Sequence, residues 1–190
     1  ALLLLIIASP VMLAVAIAIK LDSEGQVIFA QPRCGKNGKI FKVYKFRTMI
    51  NETIRNGKVL RDADRITKVG RLLRKTSMDE LPQLFNILKG EMSFIGPRPL
   101  LTGYLPYYTD KEMKRHTVLP GITGWAQVNG RNSISWEEKF KYDLEYVEKV
   151  SFKFDLYIAL LTIYKVFSME DVERVHILDF DIERRSAGNF

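Results

Sequence analysis

Cysteine is almost absent from this chain: Cys34 is the single one in 190 residues. An internal disulfide framework is therefore excluded, and the composition fits a reducing cytosol. Histidine is nearly as scarce, with two residues, and no Cys/His set has the spacing of zinc ligands. There is no Walker loop, no GxGxxG and no nucleophile elbow. Internal repeats and low-complexity segments are also missing. Cys34 lies between Arg33 and Lys36, cations that can activate a thiol, but it reads as an incidental turn residue.

What is present begins with residues 1–19, which are apolar except for Ser9-Pro10 at the midpoint; Lys20 ends the run. A straight helix of that length is roughly 28 Å long, barely the hydrocarbon thickness of a bilayer. Pro10 removes a backbone donor and clashes with the preceding turn, so a bend is expected there. The Ser9 hydroxyl can bond a freed carbonyl, which lowers the cost of a break in lipid. Two readings follow: half-helices that enter and leave on the same side, or a kinked transmembrane helix. No small-x-small site supports a cleaved signal peptide. The chain opens on Ala1 rather than Met, which predicts residues upstream.

The net charge is +7, unevenly placed. Residues 1–100 hold 17 Lys and Arg against 8 Asp and Glu, whereas residues 101–190 hold 12 against 14. Basic residues behind an apolar segment favour the cytoplasmic, anionic side of a membrane. They equally suit a nucleic acid or a phosphorylated small substrate.

Strands are predicted near residues 27–30 and 40–49. Lys42, Lys45 and Arg47 on the second either line an anionic site or solvate an edge. Residues 50–60 read as a loop, and Asp62 and Asp64 as helix caps rather than metal ligands. Leu81, Leu84, Phe85 and Leu88 have the spacing of an amphipathic helix, closed by Lys89-Gly90. Capping boxes at Thr109/Glu112 and Ser135/Glu138 open two more helices, the second carrying Trp136, Phe140, Leu144 and Val147. Residues 125–131 read as a turn. Residues 155–167 are apolar almost all round and too short to span, hence buried or interfacial. The tail after Ser168 is charged and carries no readable chemistry.

The chemistry concentrates in Ser77-Met-Asp79-Glu80-Leu-Pro82. Ser77 with Glu80 has the form of a capping box. An Asp79 cap would normally bond the amide three residues on, which is Pro82 and has none, so Asp79 keeps a carboxylate for other work. Arg71, Arg74 and Lys75 lie just upstream, and Gly96-Pro97-Arg98-Pro99 holds Arg98 between two prolines. That restriction lowers the entropy lost when a guanidinium forks onto a phosphate. Carboxylates hold Mg²⁺, Mg²⁺ binds diphosphate, and a carboxylate can itself attack phosphorus.

In combination, Ser9-Pro10, Lys45-Phe-Arg-Thr-Met49, Asp79-Glu80-Leu-Pro-Gln83, Gly96-Pro-Arg-Pro99 and Pro120-Gly-Ile-Thr-Gly-Trp-Ala-Gln-Val-Asn-Gly-Arg131 resemble the monotopic phosphoglycosyl transferases. These are bacterial sugar transferases that start lipid-linked glycan assembly, here of the short bacillosamine-phosphate transferase type. The resemblance covers residues 1 to about 167. It implies an α+β fold: a mostly helical, compact cytoplasmic domain with short strands, behind a re-entrant helix broken at Ser9-Pro10. The division it implies is a membrane helix over 1–20, a catalytic domain with interfacial helices over 21–168, and a tail over 169–190.

The resemblance further implies transfer of a sugar 1-phosphate from a UDP-sugar to undecaprenyl phosphate, giving the polyprenyl diphosphate sugar and UMP. Asp79 would be the nucleophile and the Mg²⁺ ligand, with Glu80 assisting. Arg98 would hold phosphate, Arg74 would support it, and Arg131 would face the nucleotide. Lys45 and Arg47 join this phosphate- and nucleotide-binding set. The expected donor carries an N-acetylated amino sugar, and the expected location is the cytoplasmic face of the inner membrane, among its lipids. No nucleic-acid partner is expected. The rival enzyme is a membrane-bound, metal-dependent phosphatase or transferase acting on another lipid phosphate. A non-enzymatic basic module is disfavoured, because a polyanion binder gains nothing from paired acids amid its cations. Members of the family carry basic residues ahead of the first helix, whereas this sequence begins inside it.

Overall fold

The computed structural model describes residues 1–55, 57–130, 133–168 and 179–186. The chain folds into two units. One comprises Ala1–Gln31 with Val43–Lys89, the other Pro32–Lys42 with Gly90–Phe190. This division differs from the one read from the sequence: the apolar helix belongs to the first unit and the C-terminal tail to the second.

In the first unit the apolar run forms one helix, α1 (Leu2–Asp22), continuous through Ser9-Pro10. Residue 10 of a regular helix would donate its N–H to the Ile6 carbonyl, and proline has none to give. The Ser9 hydroxyl donates to that carbonyl instead, at 2.8 Å. The polar pair thus satisfies the group that the proline orphans, and no gap in the helix results. The two halves of α1 have different surroundings. Val15 and Ile19 are buried against Phe46 and Leu73, whereas Leu2, Leu3, Ile6 and Ile7 are exposed. Among the described residues α1 is the one helix long and apolar enough to cross a membrane, by length and composition.

Two strands follow, β1 (Ile28–Cys34) and β2 (Ile40–Phe46), paired around a 3-10 turn at Lys36–Gly38. Residues 50–60 are not all loop, because β3 (Ile54–Arg55) and β4 (Lys58–Val59) pair antiparallel. In α2 (Asp62–Arg65) the expected caps Asp62 and Asp64 lie inside the helix and pair with Arg65 and Arg61, while Arg61 holds the cap position. Next come α3 (Lys68–Lys75) and α4 (Gln83–Leu88). The Asp22 carboxylate, at the end of α1, accepts the Val69 N–H of α3 at 2.9 Å. The expected stripe is buried only in part: Leu84 is buried, together with Gln83 and Asn86, and Leu81 packs on the core, while Phe85 and Leu88 are exposed. Asn86 is inside because its side-chain oxygen accepts the Tyr44 N–H of β2 at 3.1 Å.

In the second unit, β5 (Ser93–Ile95) runs parallel to β6 (Gly121–Thr123), with α5 (Asp110–Met113) between them in sequence. Both expected capping boxes form, Thr109 with Glu112 and Ser135 with Glu138. Residues Trp125–Val128 make a short helix, α6, where a turn was expected. Helix α7 (Trp136–Lys149) buries Trp136, Phe140, Asp143 and Tyr146, so its inner stripe contains an acid. The apolar α8 (Phe152–Ser168) has two different faces. Ile158 packs with Ile95, Val128 and Tyr146, while Leu156, Leu160, Ile163 and Tyr164 are exposed.

The tail has a place in this unit. Phe180, which opens α9 (Phe180–Ser186), is 0% exposed amid Tyr104, Tyr108, Trp136 and Phe140. Arg184 of α9 pairs with Glu112, and Arg185 donates to the Tyr107 hydroxyl at 2.6 Å.

His116 lies in the 3-10 turn Lys114–Thr117 and is buried beside Arg115 and the Tyr108 ring. Burial, and then the Arg115 charge, push its pKa from 6.5 down to about 4. The folded state therefore holds it neutral, while the unfolded chain takes up a proton below pH 6.5. Its contribution is complete above that value and is lost as the pH falls toward about 4. Urea unfolding in detergent at pH 7 and pH 5 should show a loss of about 2 kcal/mol, and His116→Gln should lose much less. Equal losses in both proteins would show that His116 does not titrate this way.

Candidate active site

The two adjacent acids sit on a turn set by an unusual backbone. Helix α3 closes at Lys75, and the Thr76 hydroxyl donates to the Leu72 carbonyl at 2.9 Å. Ser77 then adopts φ 55°, in the left-handed region that a non-glycine residue occupies at a cost. The 3-10 turn Met78–Glu80 follows directly. The capping box expected at Ser77 does not form, because an N-cap needs an extended backbone and Ser77 is left-handed. Helix α4 starts at Gln83 with Pro82 in the cap position.

Glu80 meets Lys45 of β2, with Nζ 2.6 Å from Oε1 and both side chains mostly shielded. The structure thus brings Lys45 to the acid pair. Arg74 is positioned by α3, whose approach to the strand segment depends on Gly70. A Cβ there would lie 2.1 Å from the Thr48 carbonyl oxygen. Across that contact Arg74 Nε donates to Thr48 Oγ1 at 2.9 Å. Lys45, Arg74, Asp79 and Glu80 all belong to the first unit.

Arg47 has a different job from the one expected. It is 6% exposed. Its Nε donates to the Gln26 carbonyl at 2.6 Å and its Nη2 to the Ser23 carbonyl at 2.8 Å. Nη1 reaches the Glu24 carbonyl at 2.7 Å and the Ser23 hydroxyl at 2.9 Å. Those bonds tie down the turn that leaves α1, and a guanidinium so occupied is structural rather than a phosphate ligand.

Arg98 belongs to the second unit, on the loop leaving β5. Pro97 and Pro99 are buried and the Arg98 side chain between them is exposed. Prolines suit this burial because they have no N–H to leave unpaired. The carbonyls are taken in succession. Gly121 N–H bonds Pro97 O at 3.1 Å, Arg115 Nη2 bonds Arg98 O at 2.7 Å, and Arg33 Nη1 reaches Pro99 O at 3.5 Å. Cys34 N–H bonds Leu100 O at 3.2 Å, and its Sγ faces Leu101 O at 3.8 Å. Cys34 is accordingly a buried strand residue and not the incidental turn residue expected, and burial pushes its thiol pKa up, against activation by the neighbouring cations. Burial, then the Arg98 charge, pull the Arg33 guanidinium down. Arg131 lies outside the described residues.

The sequence reading missed the Arg115–Asp143 pair. Arg115 Nε and Nη2 donate to Asp143 Oδ2 at 2.9 and 2.8 Å, with both residues 3% exposed. A signal was available: Asp143 falls on the helical stripe of Trp136 and Phe140, where an acid requires a buried partner.

The bacterial sugar transferase family profile matches residues 1–169. An uncharacterized sugar transferase of Bacillus subtilis, EpsL, is 51% identical over 93% of this chain and 87% of its own length. The UDP-glucose:undecaprenyl-phosphate glucose-1-phosphate transferase of Escherichia coli is 45% identical over 87% of this chain, which spans 38% of that protein. The UDP-N-acetylgalactosamine-undecaprenyl-phosphate N-acetylgalactosaminephosphotransferase of Aeromonas hydrophila is 43% identical over 82% of the chain, again 38% of its own length. With a match over 169 residues and such a relative covered almost end to end, the chain belongs to the bacterial sugar transferase family.

Proposed function

We propose that this chain transfers a sugar 1-phosphate from a UDP-sugar to undecaprenyl phosphate, releasing UMP, by way of a covalent intermediate on Asp79. The observation that carries this reading is the acid pair itself, presented on a strained turn, with Lys45 on Glu80. The names of the E. coli and Aeromonas relatives support the overall reaction.

An Asp79 carboxylate oxygen attacks the sugar-bearing phosphorus and the bond to the UMP oxygen breaks. UMP then leaves. A phosphate oxygen of undecaprenyl phosphate attacks the same phosphorus, the bond to Asp79 breaks, and the polyprenyl diphosphate sugar is free. A carboxylate nucleophile needs no separate base. Its obstacle is repulsion from the diphosphate. Arg98 offsets that repulsion by forking onto a phosphate, and Lys45 holds Glu80 in place. The adjacent carboxylates of Asp79 and Glu80 suit Mg²⁺, which is commonly held by one or two carboxylates together with substrate phosphates. Asp79 would be the protein ligand, and the ion would supply charge neutralisation at the diphosphate.

The donor we expect carries an N-acetylated amino sugar, as in the name of the Aeromonas relative, with UDP-glucose as the competitor. The bare first half of α1 and its docked second half support monotopic insertion.

Enzyme incubated with labelled UDP-sugar and Mg²⁺, without acceptor, should gain the mass of the sugar phosphate, and Asp79→Asn should gain none while remaining folded. Retention of that mass by the Asn variant would rule out Asp79 as nucleophile. Arg98→Lys keeps the charge and loses the planar fork. Its rate of UMP release should fall at least about tenfold, roughly 1.4 kcal/mol of transition-state stabilisation. Unchanged turnover would reduce Arg98 to a surface charge. For topology, Leu2→Cys in a Cys34→Ser chain should resist a membrane-impermeant maleimide in intact cells and react once the inner membrane is opened. Labelling in intact cells would mean that α1 crosses the bilayer.

A further inference from the structure

We propose that Arg115, with Asp143 as its counter-ion, is a positioning residue for Arg98; this deepens the reading of Arg98 as a phosphate ligand and rests on it. A buried arginine is an expensive way to satisfy one carbonyl, since a neutral N–H would serve. Here the guanidinium is shared. Nη2 donates both to the Arg98 carbonyl at 2.7 Å and to Asp143 at 2.8 Å, while Nε donates to Asp143 at 2.9 Å. Nη1 lies 3.4 Å from Nε2 of His116, which is neutral and so able to accept. Burial opposes the charge on Arg115 and Asp143 restores it, so the guanidinium keeps its charge and its bond to Arg98 is charge-assisted, while burial pushes the Asp143 carboxyl up against the pull of Arg115.

The geometry explains what that bond controls. Pro99 restricts the backbone of the residue before it. The carbonyl orientation of Arg98 sets its ψ, and the backbone sets the direction in which the side chain leaves the loop. With Pro97 and Pro99 buried, the Arg98 carbonyl is the point at which the exposed guanidinium is aimed. Lysine at position 115 has three donors on a flexible stem and cannot reproduce the shared fork.

The test is a double-mutant cycle on the full chain in detergent, with UMP release from the UDP-sugar as the rate and thermal melting as the check on folding. Arg115→Lys and the apolar pair Arg115→Met/Asp143→Leu are each made in the wild-type and Arg98→Ala backgrounds. The apolar pair avoids a lone buried charge, and Arg115→Lys carries the cycle if that pair does not fold. In the wild-type background kcat/KM should fall at least tenfold. In the Arg98→Ala background either change should cost less than a further twofold, because the group being aimed is gone. The same fold-loss in both backgrounds would mean that Arg115 acts on the fold alone and would overturn the proposal. Full activity of Arg98→Ala would remove the phosphate role and this inference with it. A wild-type chain that releases no UMP from any UDP-sugar would overturn the transfer reaction beneath both.

Discussion

The buried guanidinium of Arg47 donates to Ser23, Glu24 and Gln26, and through those bonds the exit of an apolar helix is tied to the strand segment that carries Lys45 and Thr48. Gly25 makes the arrangement possible. Its φ is +121°, and a Cβ there would lie 2.7 Å from the Asn51 side chain. Asp22 adds a second tie by accepting the Val69 N–H at the start of α3. Since α3 leads into the left-handed Ser77 and then the acid pair, the helix and the acids share one framework. Removing Arg47 would take the partner from three carbonyls at once, a larger loss than one surface charge implies.

The second unit uses a different economy around Arg98. Glycines stand where the backbones beside β5 and β6 approach most closely. A Cβ on Gly121 would come 2.2 Å from the Gly96 nitrogen, and one on Gly124 would come 2.1 Å from the Gly96 oxygen. The loop rests on bare backbone, and its carbonyls are then claimed one after another by N–H groups and guanidinium. A loop bound this way loses little further freedom when its exposed arginine meets an anion.

Features governed by near neighbours were legible in the sequence. The capping boxes at Thr109 and Ser135 involve four consecutive residues each, and both form. The same pattern at Ser77 misled, because what decides there is a left-handed backbone that four letters do not reveal. Lys45 and Arg47 are two residues apart and chemically alike. One meets an acid and the other is enclosed by a distant turn, a distinction that only the tertiary fold draws. The spacing of Leu81, Leu84, Phe85 and Leu88 suggested a buried stripe, yet the Asn86 hydrogen bond to Tyr44 turns that helix so that Phe85 faces out. The acid pair and the proline-flanked arginine were readable because each depends on residues adjacent in the chain. Arg115 with Asp143, separated by 28 positions, was not.

Phe180 lies beyond the stretch that defines the family, yet it is enclosed by aromatic rings of Tyr104, Tyr108, Trp136 and Phe140. The boundary of resemblance is therefore not the boundary of the fold. A chain shortened to residue 169 would keep every shared motif and lose the central ring of an edge-to-face cluster, leaving an aromatic-lined hole beside the helix that bears Asp143. Trimming this protein at residue 169 would therefore remove a wedge and not a loose end.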